Sequence, residues 1–294
     1  MNVLHVLRTY HIHPLKRLGQ NFLIDNNIQD KLCGALNLKA HDAVLEIGAG
    51  CGALTEKIAW QCSYLLAIEC DKKLCHILQH EIVSQCDHVS IVCEDILKVN
   101  VEKHLGTKRV KVIGNLPYYI TTKILFWLVK YRKHIDYAIL TMQKEVAERL
   151  LSAPGKKTYG RLTVSLRFFA EVEKLFDIKA NSFCPVPEVT STVVKVTFRD
   201  PQPKAFDEPL FLRVVEALFQ ERRKNVHNGL CLVKTRRITK QEAERILNAC
   251  NIPLKKRAEE LMLKDFMTLT RCISAMKEGV TPLENEQKQW YNGN

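Results

Sequence analysis

The stretch Ala43-Val-Leu-Glu-Ile-Gly-Ala-Gly-Cys-Gly52 decides the fold. A short apolar run ends in a loop with glycine at alternate positions, and a helical pattern follows. Glycines there permit a tight turn and a close approach of backbone to a ligand. A strand, glycine loop and helix in that order open a βα unit. On its own the loop is shared by dinucleotide sites and others. Two details narrow it: the third glycine falls one residue earlier than in the dinucleotide fingerprint, and an acid, Glu46, precedes the loop.

Working outward, strand-like runs at Leu65–Glu69, Val89–Cys93, Val110–Gly114 and Ile135–Met142 alternate with amphipathic segments such as Asp71–Val83 and Thr121–Tyr131. That alternation predicts a parallel sheet covered on both faces, with ligands at the carboxyl ends of its strands. Leu162–Phe169 and Thr190–Phe198 read as two further strands, paired as an antiparallel hairpin at one edge. Asp200-Pro-Gln-Pro reads as a linker, and only helical periodicity follows, in Pro209–Gln220, Thr239–Cys250 and Ala258–Met276. Thr239 and Glu242 have the spacing of a capping box. The fold class is therefore α/β, a Rossmann-like sheet with a small C-terminal all-helical domain. The domains run over residues 1–200 and 205–278, with a polar tail at 279–294.

Two more acids follow in register. Glu69 ends the second strand, where a carboxylate accepts both ribose hydroxyls. Asp95 follows the third, placed to accept from an adenine amino group. Glu46, Glu69 and Asp95 together suit an adenosine ligand with a positive centre and no phosphates, S-adenosylmethionine.

The fourth strand delivers Asn115-Leu116-Pro117-Tyr118 to the same edge. An exocyclic amine on a nucleobase is a poor nucleophile, because its lone pair is delocalised into the ring. Two acceptors aimed at its N–H groups, the Asn115 side-chain oxygen and a carbonyl of Leu116 or Pro117, draw the nitrogen toward a tetrahedral shape. Tyr118 offers a face for a base withdrawn from its stack. Phe183, ahead of Pro185 and Pro187, is expected to stand opposite Tyr118 and sandwich that base.

The 294 residues carry a net charge of +12, and apolar residues make up 46%. Basic clusters after the linker at Arg222-Arg223-Lys224, Lys234, Arg236-Arg237 and Lys255-Lys256-Arg257 point to a polyanionic partner. No apolar run is long enough to span a bilayer, and the N-terminus lacks a secretory cleavage pattern. Eleven cysteines without a Cys-x-x-Cys pair indicate a reduced, cytoplasmic setting, with Cys70, Cys93 and Cys250 expected to pack as small hydrophobes. No metal site is expected, because His76 and His80 lack a carboxylate or a cysteine pair at ligand spacing.

The chain resembles the small-subunit ribosomal RNA adenine dimethyltransferases of the KsgA type over nearly its whole length. The resemblance rests on Arg17-Leu-Gly-Gln-Asn-Phe-Leu23, the glycine loop, Glu69, Asp95 and Asn-Leu-Pro-Tyr. It extends through Tyr159-Gly-Arg-Leu162, the Phe-x-Pro-x-Pro-x-Val-x-Ser run and Phe219-Gln-Glu-Arg-Arg-Lys224. It implies N6,N6-dimethylation of two adjacent adenosines in the terminal hairpin loop of small-subunit rRNA. The same resemblance implies a cofactor site lined by Asn21, Leu23, Gly48, Glu69, Asp95 and Asn115. RNA contacts are expected at Arg222, Arg223 and Lys224, by a monomer acting on an immature subunit. The related large-subunit methylase of antibiotic resistance is the nearest rival, and Tyr-Gly-Arg-Leu with the full helical domain weighs against it. A mitochondrial transcription factor would need a targeting sequence. A nicotinamide dehydrogenase conflicts with the early third glycine and with Asn-Leu-Pro-Tyr. The family usually has Thr after Arg-Arg-Lys, where this chain has Asn225.

Overall fold

The computed structural model describes residues 2–200, 206–234 and 238–277. They form two compact units. The first comprises residues up to Leu151 together with Phe169–Asp200. The second takes Ser152–Phe168 and the described residues after 205.

The first unit is built on seven strands: β2 (Ala43–Ile47), β3 (Tyr64–Glu69), β4 (Val89–Cys93), β5 (Val110–Asn115), β6 (Ile135–Gln143), β7 (Ala170–Ile178) and β9 (Ser191–Phe198). Their order across the sheet is β4-β3-β2-β5-β6-β9-β7. The first five pair in parallel, and β9 runs antiparallel to both β6 and β7. Interior strands such as β3 are buried along almost their whole length, the signature of a sheet covered on both faces. Sequence order reverses between β2 and β5, which opens a crevice at their carboxyl ends. A separate two-stranded ladder joins β1 (Phe22–Leu23) to β8 (Phe183–Cys184), with Phe22 opposite Cys184 and Leu23 opposite Phe183.

Helices α1 (Val3–Thr9), α2 (Asn26–Ala35), α3 (Ala53–Ala59), α4 (Lys72–Glu81), α5 (Val101–Leu105), α6 (Thr121–Lys130) and α7 (Lys144–Leu151) complete this unit. Local chemistry sets where they begin. Asp25, Asp71 and Asn100 cap α2, α4 and α5 by accepting first-turn N–H groups. Beneath the sheet Leu32, Leu36, Ile58, Leu65 and Leu78 pack into one core.

The second unit holds α8 (Arg161–Phe169, which ends one residue beyond it), α9 (Glu208–Gln220), α10 (Val226–Leu230), α11 (Lys240–Ala249) and α12 (Leu263–Lys277). Thr239 and Glu242 form the capping box of α11. Phe168 stacks on Phe211 at 4.1 Å, and Phe219 on Phe266 at 5.7 Å.

Several expectations are corrected here. Leu162–Phe169 is helix, not strand, and the strand paired with β9 is the next segment, Ala170–Ile178. Polar residues at 163, 165 and 167 alternate with apolar ones as they would in a strand, but Thr163 and Ser165 are buried with their apolar neighbours, so packing and not the alternation decided the helix. The unit that α8 joins also differs, since the first domain was expected to run unbroken to residue 200. The single helix expected over 258–276 is a 3-10 turn, Ala258–Glu260, followed by α12. Cys70 and Cys93 are exposed at strand ends rather than packed, and Cys250 is half-buried. Residues 201–205, Arg236, Arg237 and the tail after 277 lie outside the described residues. Among the described residues no helix is long and apolar enough to cross a membrane.

Candidate active site

The carboxyl ends of β2, β3 and β5 surround a cavity of about 760 Å³ within the first unit. It is lined by Asn21, Leu23, Gly48, Glu69, Asp95, Asn115, Leu116, Pro117 and Tyr118, so nearly every sequence-predicted residue of the first domain meets there.

The glycine loop is shaped by backbone. Gly48 and Gly50 adopt φ of 73° and 59°, a region that costs any residue with a Cβ. Gly48 N–H donates to the Ile68 carbonyl at 2.8 Å, tying the loop to β3. Gly50 N–H donates to Glu69 Oε2 at 2.9 Å, and the other oxygen accepts from Cys70 and Asp71 N–H at 2.8 and 2.9 Å. Burial raises the Glu69 pKa, and these three N–H groups counter part of the rise.

Glu46 is deeper, 2% exposed, and burial pushes its pKa up to about 8. The neighbouring Thr55 hydroxyl opposes that shift, although neither Thr55 Oγ1 nor Glu46 Oε2 reaches a hydrogen-bond partner. Among the described residues Glu46 and Glu69 are the two buried charged side chains, and both line this cavity.

Asn115 ends β5 with its amide half-buried. Its Nδ2 donates to the Asn21 carbonyl at 2.9 Å. A carbonyl accepts only, so this bond fixes which end of the amide is nitrogen. Of the two backbone carbonyls considered, that of Pro117 already accepts from Thr121 Oγ1 at 3.1 Å and Ile120 N–H at 3.2 Å. The Leu116 carbonyl takes neither of these donors. The Tyr118 hydroxyl lies 2.7 Å from Oγ of the buried Ser191. Tyr119 is 58% exposed, and its ring covers Gly19, where a Cβ would come within 3.2 Å of it.

Phe183 is the exception. It is 1% exposed in the core beside Leu23 and Ile178, and it does not line the cavity. The reason is register: pairing with β1 sets Phe183 opposite the buried Leu23. The expected sandwich of Phe183 and Tyr118 is not the arrangement here. The Phe-x-Pro-x-Pro-x-Val-x-Ser run instead supports the cleft at its two ends, through β8 on β1 and Ser191 on Tyr118.

In the second unit the basic run divides. Arg222 Nη2 donates to the Lys157 and Tyr159 carbonyls at 2.8 and 3.2 Å and pairs with Glu259 at 2.9 Å. Lys224 pairs with Glu221 at 2.7 Å. Arg223 is exposed, with no ion pair among the described residues.

Physical reading of the sequence passed over several contributors: Gln20, which bridges the Leu15 N–H and Asp71 Oδ2 at 2.7 and 3.0 Å, together with Gly19, Tyr119 and Ser191. An acid opening the amphipathic segment Asp71–Val83 is the local signal that could have marked Asp71 as a helix cap. The others act across separations of 51 to 100 residues, for which one sequence carries no signal.

Known proteins resemble this chain throughout. The family model described as ribosomal RNA adenine dimethylase matches residues 14–269. The ribosomal RNA small subunit methyltransferase A of Syntrophus aciditrophicus is 37% identical over 92% of this chain and 98% of its own. That of Lactiplantibacillus plantarum is 39% identical over 91% and 93%. A dimethyladenosine transferase from Plasmodium falciparum shares the fold with a TM-score of 0.74 at 24% identity, covering 88% of this chain and 98% of that one. The 23S rRNA methyltransferase ErmE shares it with a TM-score of 0.65 at 23% identity, covering 86% and 100%.

Proposed function

The chain belongs to the ribosomal RNA adenine dimethylase family, and from that premise we propose that it dimethylates the N6 amino groups of two adjacent adenosines in the 3′-terminal hairpin loop of small-subunit rRNA, with S-adenosylmethionine as methyl donor. Relatives named for the small ribosomal subunit, at 37% and 39% identity, favour this target over the large-subunit rRNA. A monomer acting on an assembling subunit in the cytoplasm completes the reading.

The residues at the cavity fit that cofactor. Its two buried acidic side chains offer no cation to a pyrophosphate, and Glu69, whose ionised form three N–H groups favour, suits a ligand with a positive centre. Glu69 is held by three backbone N–H groups and retains lone pairs for ribose hydroxyls, and Asp95, also in the lining, would accept from the adenine amino group. Asn21, Leu23 and Gly48 complete the lining. When bound, the cofactor supplies an electrophilic methyl group on a sulfonium.

The observation that carries the reading is the hydrogen bond from Asn115 Nδ2 to the Asn21 carbonyl. With the donor arm engaged, Oδ1 serves as acceptor for one N–H of the target amine. The Leu116 carbonyl is the second acceptor, because the Pro117 carbonyl is occupied within its own turn. Two fixed acceptors localise the nitrogen lone pair and stabilise the charge that develops on it as the new bond forms. Tyr118, held by Ser191, presents its ring to an extruded purine. No strong general base is required, because the amine becomes acidic once methylated. In the second unit, Arg223 is the phosphate contact of the basic run, and Arg222 is a strut within it.

Incubating the protein with methyl donor and small-subunit particles lacking the modification tests this. Mass spectrometry of digested rRNA should find N6,N6-dimethyladenosine at two neighbouring positions. Modification confined to large-subunit rRNA would overturn the assignment.

A further inference from the structure

Away from the cleft, two thiols meet in the second unit. Cys250 caps the C-terminal end of α11, and Cys272 lies on α12 among the buried Leu269, Thr270 and Ile273. Their sulfurs are 3.2 Å apart, with Cys250 Sγ donating to Cys272 Sγ. Core packing fixes the helices that carry them: α11 buries Ala243, Ile246 and Leu247, and α12 buries Phe266 as well. Both cysteines are half-buried, shielded yet within reach of a small solute.

The contact gives the two thiols unequal roles. The hydrogen bond from Cys250, helped by Arg271, lowers the Cys272 pKa against the opposing effect of burial. The same bond and burial raise that of Cys250. A pair with one thiolate-prone sulfur beside one that holds its proton is arranged as a nucleophile with a resolving partner.

We propose that Cys250 and Cys272 form a dithiol site that takes hydrogen peroxide as its oxidant and closes to a disulfide between α11 and α12. The Cys272 thiolate attacks one peroxide oxygen, the S–O bond forms, the O–O bond breaks, and hydroxide leaves. The Cys250 sulfur then attacks the sulfenic sulfur, the S–S bond forms, and the hydroxyl departs with the Cys250 proton as water. In total the two thiols lose two electrons, and one peroxide becomes two waters once the hydroxide takes up the proton shed by Cys272. Closure asks the sulfurs to approach by about a further 1.2 Å. The C-cap position of Cys250, at the end of the regular helix, gives that freedom. The cross-link spans 22 residues and encloses the basic Lys255-Lys256-Arg257 stretch.

The test treats the full chain with stoichiometric hydrogen peroxide, alkylates free thiols, and maps peptides without reduction. A peptide linking Cys250 to Cys272 should appear in most chains and vanish on adding dithiothreitol. Free thiol should disappear there at least tenfold faster than at Cys33 and Cys51, buried thiols pushed up to about 12. A Cys272→Ser variant should lose the cross-link and leave Cys250 unoxidised, with methyl transfer unchanged. The proposal is overturned if both cysteines alkylate as in untreated protein, if either pairs with another cysteine, or if Cys272 advances to the sulfinic acid unlinked. The unsubstituted chain alone decides these outcomes, whatever the stability of the variant.

Discussion

Asn115 is the place to press the reasoning hardest. Its amide has two arms with different tasks: Nδ2 is committed to the Asn21 carbonyl at 2.9 Å, and Oδ1 is assigned to the substrate amine. Asn115→Ala removes the acceptor and should lower kcat about 10²–10³-fold, or about 2.7–4 kcal/mol, the range for losing one preorganised hydrogen-bond partner of a developing charge. Asn115→Asp is the sharper probe, because it keeps an oxygen for the substrate and removes the donor. A carboxylate there directs an acceptor at the Asn21 carbonyl, so the side chain must rotate away or take up a proton in a half-buried site. Its kcat should therefore fall at least as far as that of Asn115→Ala. Single-turnover methylation at saturating donor and rRNA measures the step, with S-adenosylhomocysteine affinity and Tm as controls for the cofactor site and folding. An Asp variant within tenfold of the parent would refute the two-arm account, whatever the Ala variant does.

Three further outcomes follow from the same geometry. Tyr118→Phe and Ser191→Ala each delete one partner of a 2.7 Å contact, so each should slow methylation modestly and their combination little more than either alone; additive losses in a double-mutant cycle would detach Ser191 from the tyrosine. Arg222→Ala should lower Tm, by about 1–3 kcal/mol of stability, because it strips donors from the Lys157 and Tyr159 carbonyls and a partner from Glu259. Arg223→Ala should leave Tm in place and reduce the slope of log K for RNA against log salt by about 0.9, and a reversed pattern would exchange the two assignments. Glu46 binds a proton up to about pH 8 when folded against an ordinary 4.5, so its contribution to stability is complete below about pH 4.5 and is lost as pH rises through 8. Tm measured from pH 5 to 9 should therefore decline less steeply in Glu46→Gln than in the parent, and parallel curves would show that Glu46 ionises normally.

Much of the site was legible because its chemistry is local. Gly48 and Gly50 announce a turn with positive φ, Glu69 and Asp95 follow strands whose apolar character is plain, and Asn-Leu-Pro-Tyr ends a third. Once a parallel sheet is inferred, connectivity alone brings these strand ends to one edge. Asn21 and Leu23 were reached only through resemblance, because nothing in their charge or periodicity separates Gln-Asn-Phe-Leu from an ordinary loop. The basic run illustrates the converse: three adjacent cations read as one feature, yet carbonyls and carboxylates folded against them gave Arg222, Arg223 and Lys224 different tasks.

By itself, then, the sequence determined the alternation of strands and helices, the glycine loop, the acids that close its cleft and the helical character of the C-terminal part. Each of these is written in periods of two to four residues or in backbone rules that act over one turn. Tertiary structure alone decided that Leu162–Phe168 coils into the helical unit, that Phe183 turns into the core, and that Asn21 and Ser191 brace Asn115 and Tyr118. Those outcomes depend on which apolar face finds a partner and which buried polar atom finds a donor across many tens of residues. Such pairings are settled only when the chain is compact.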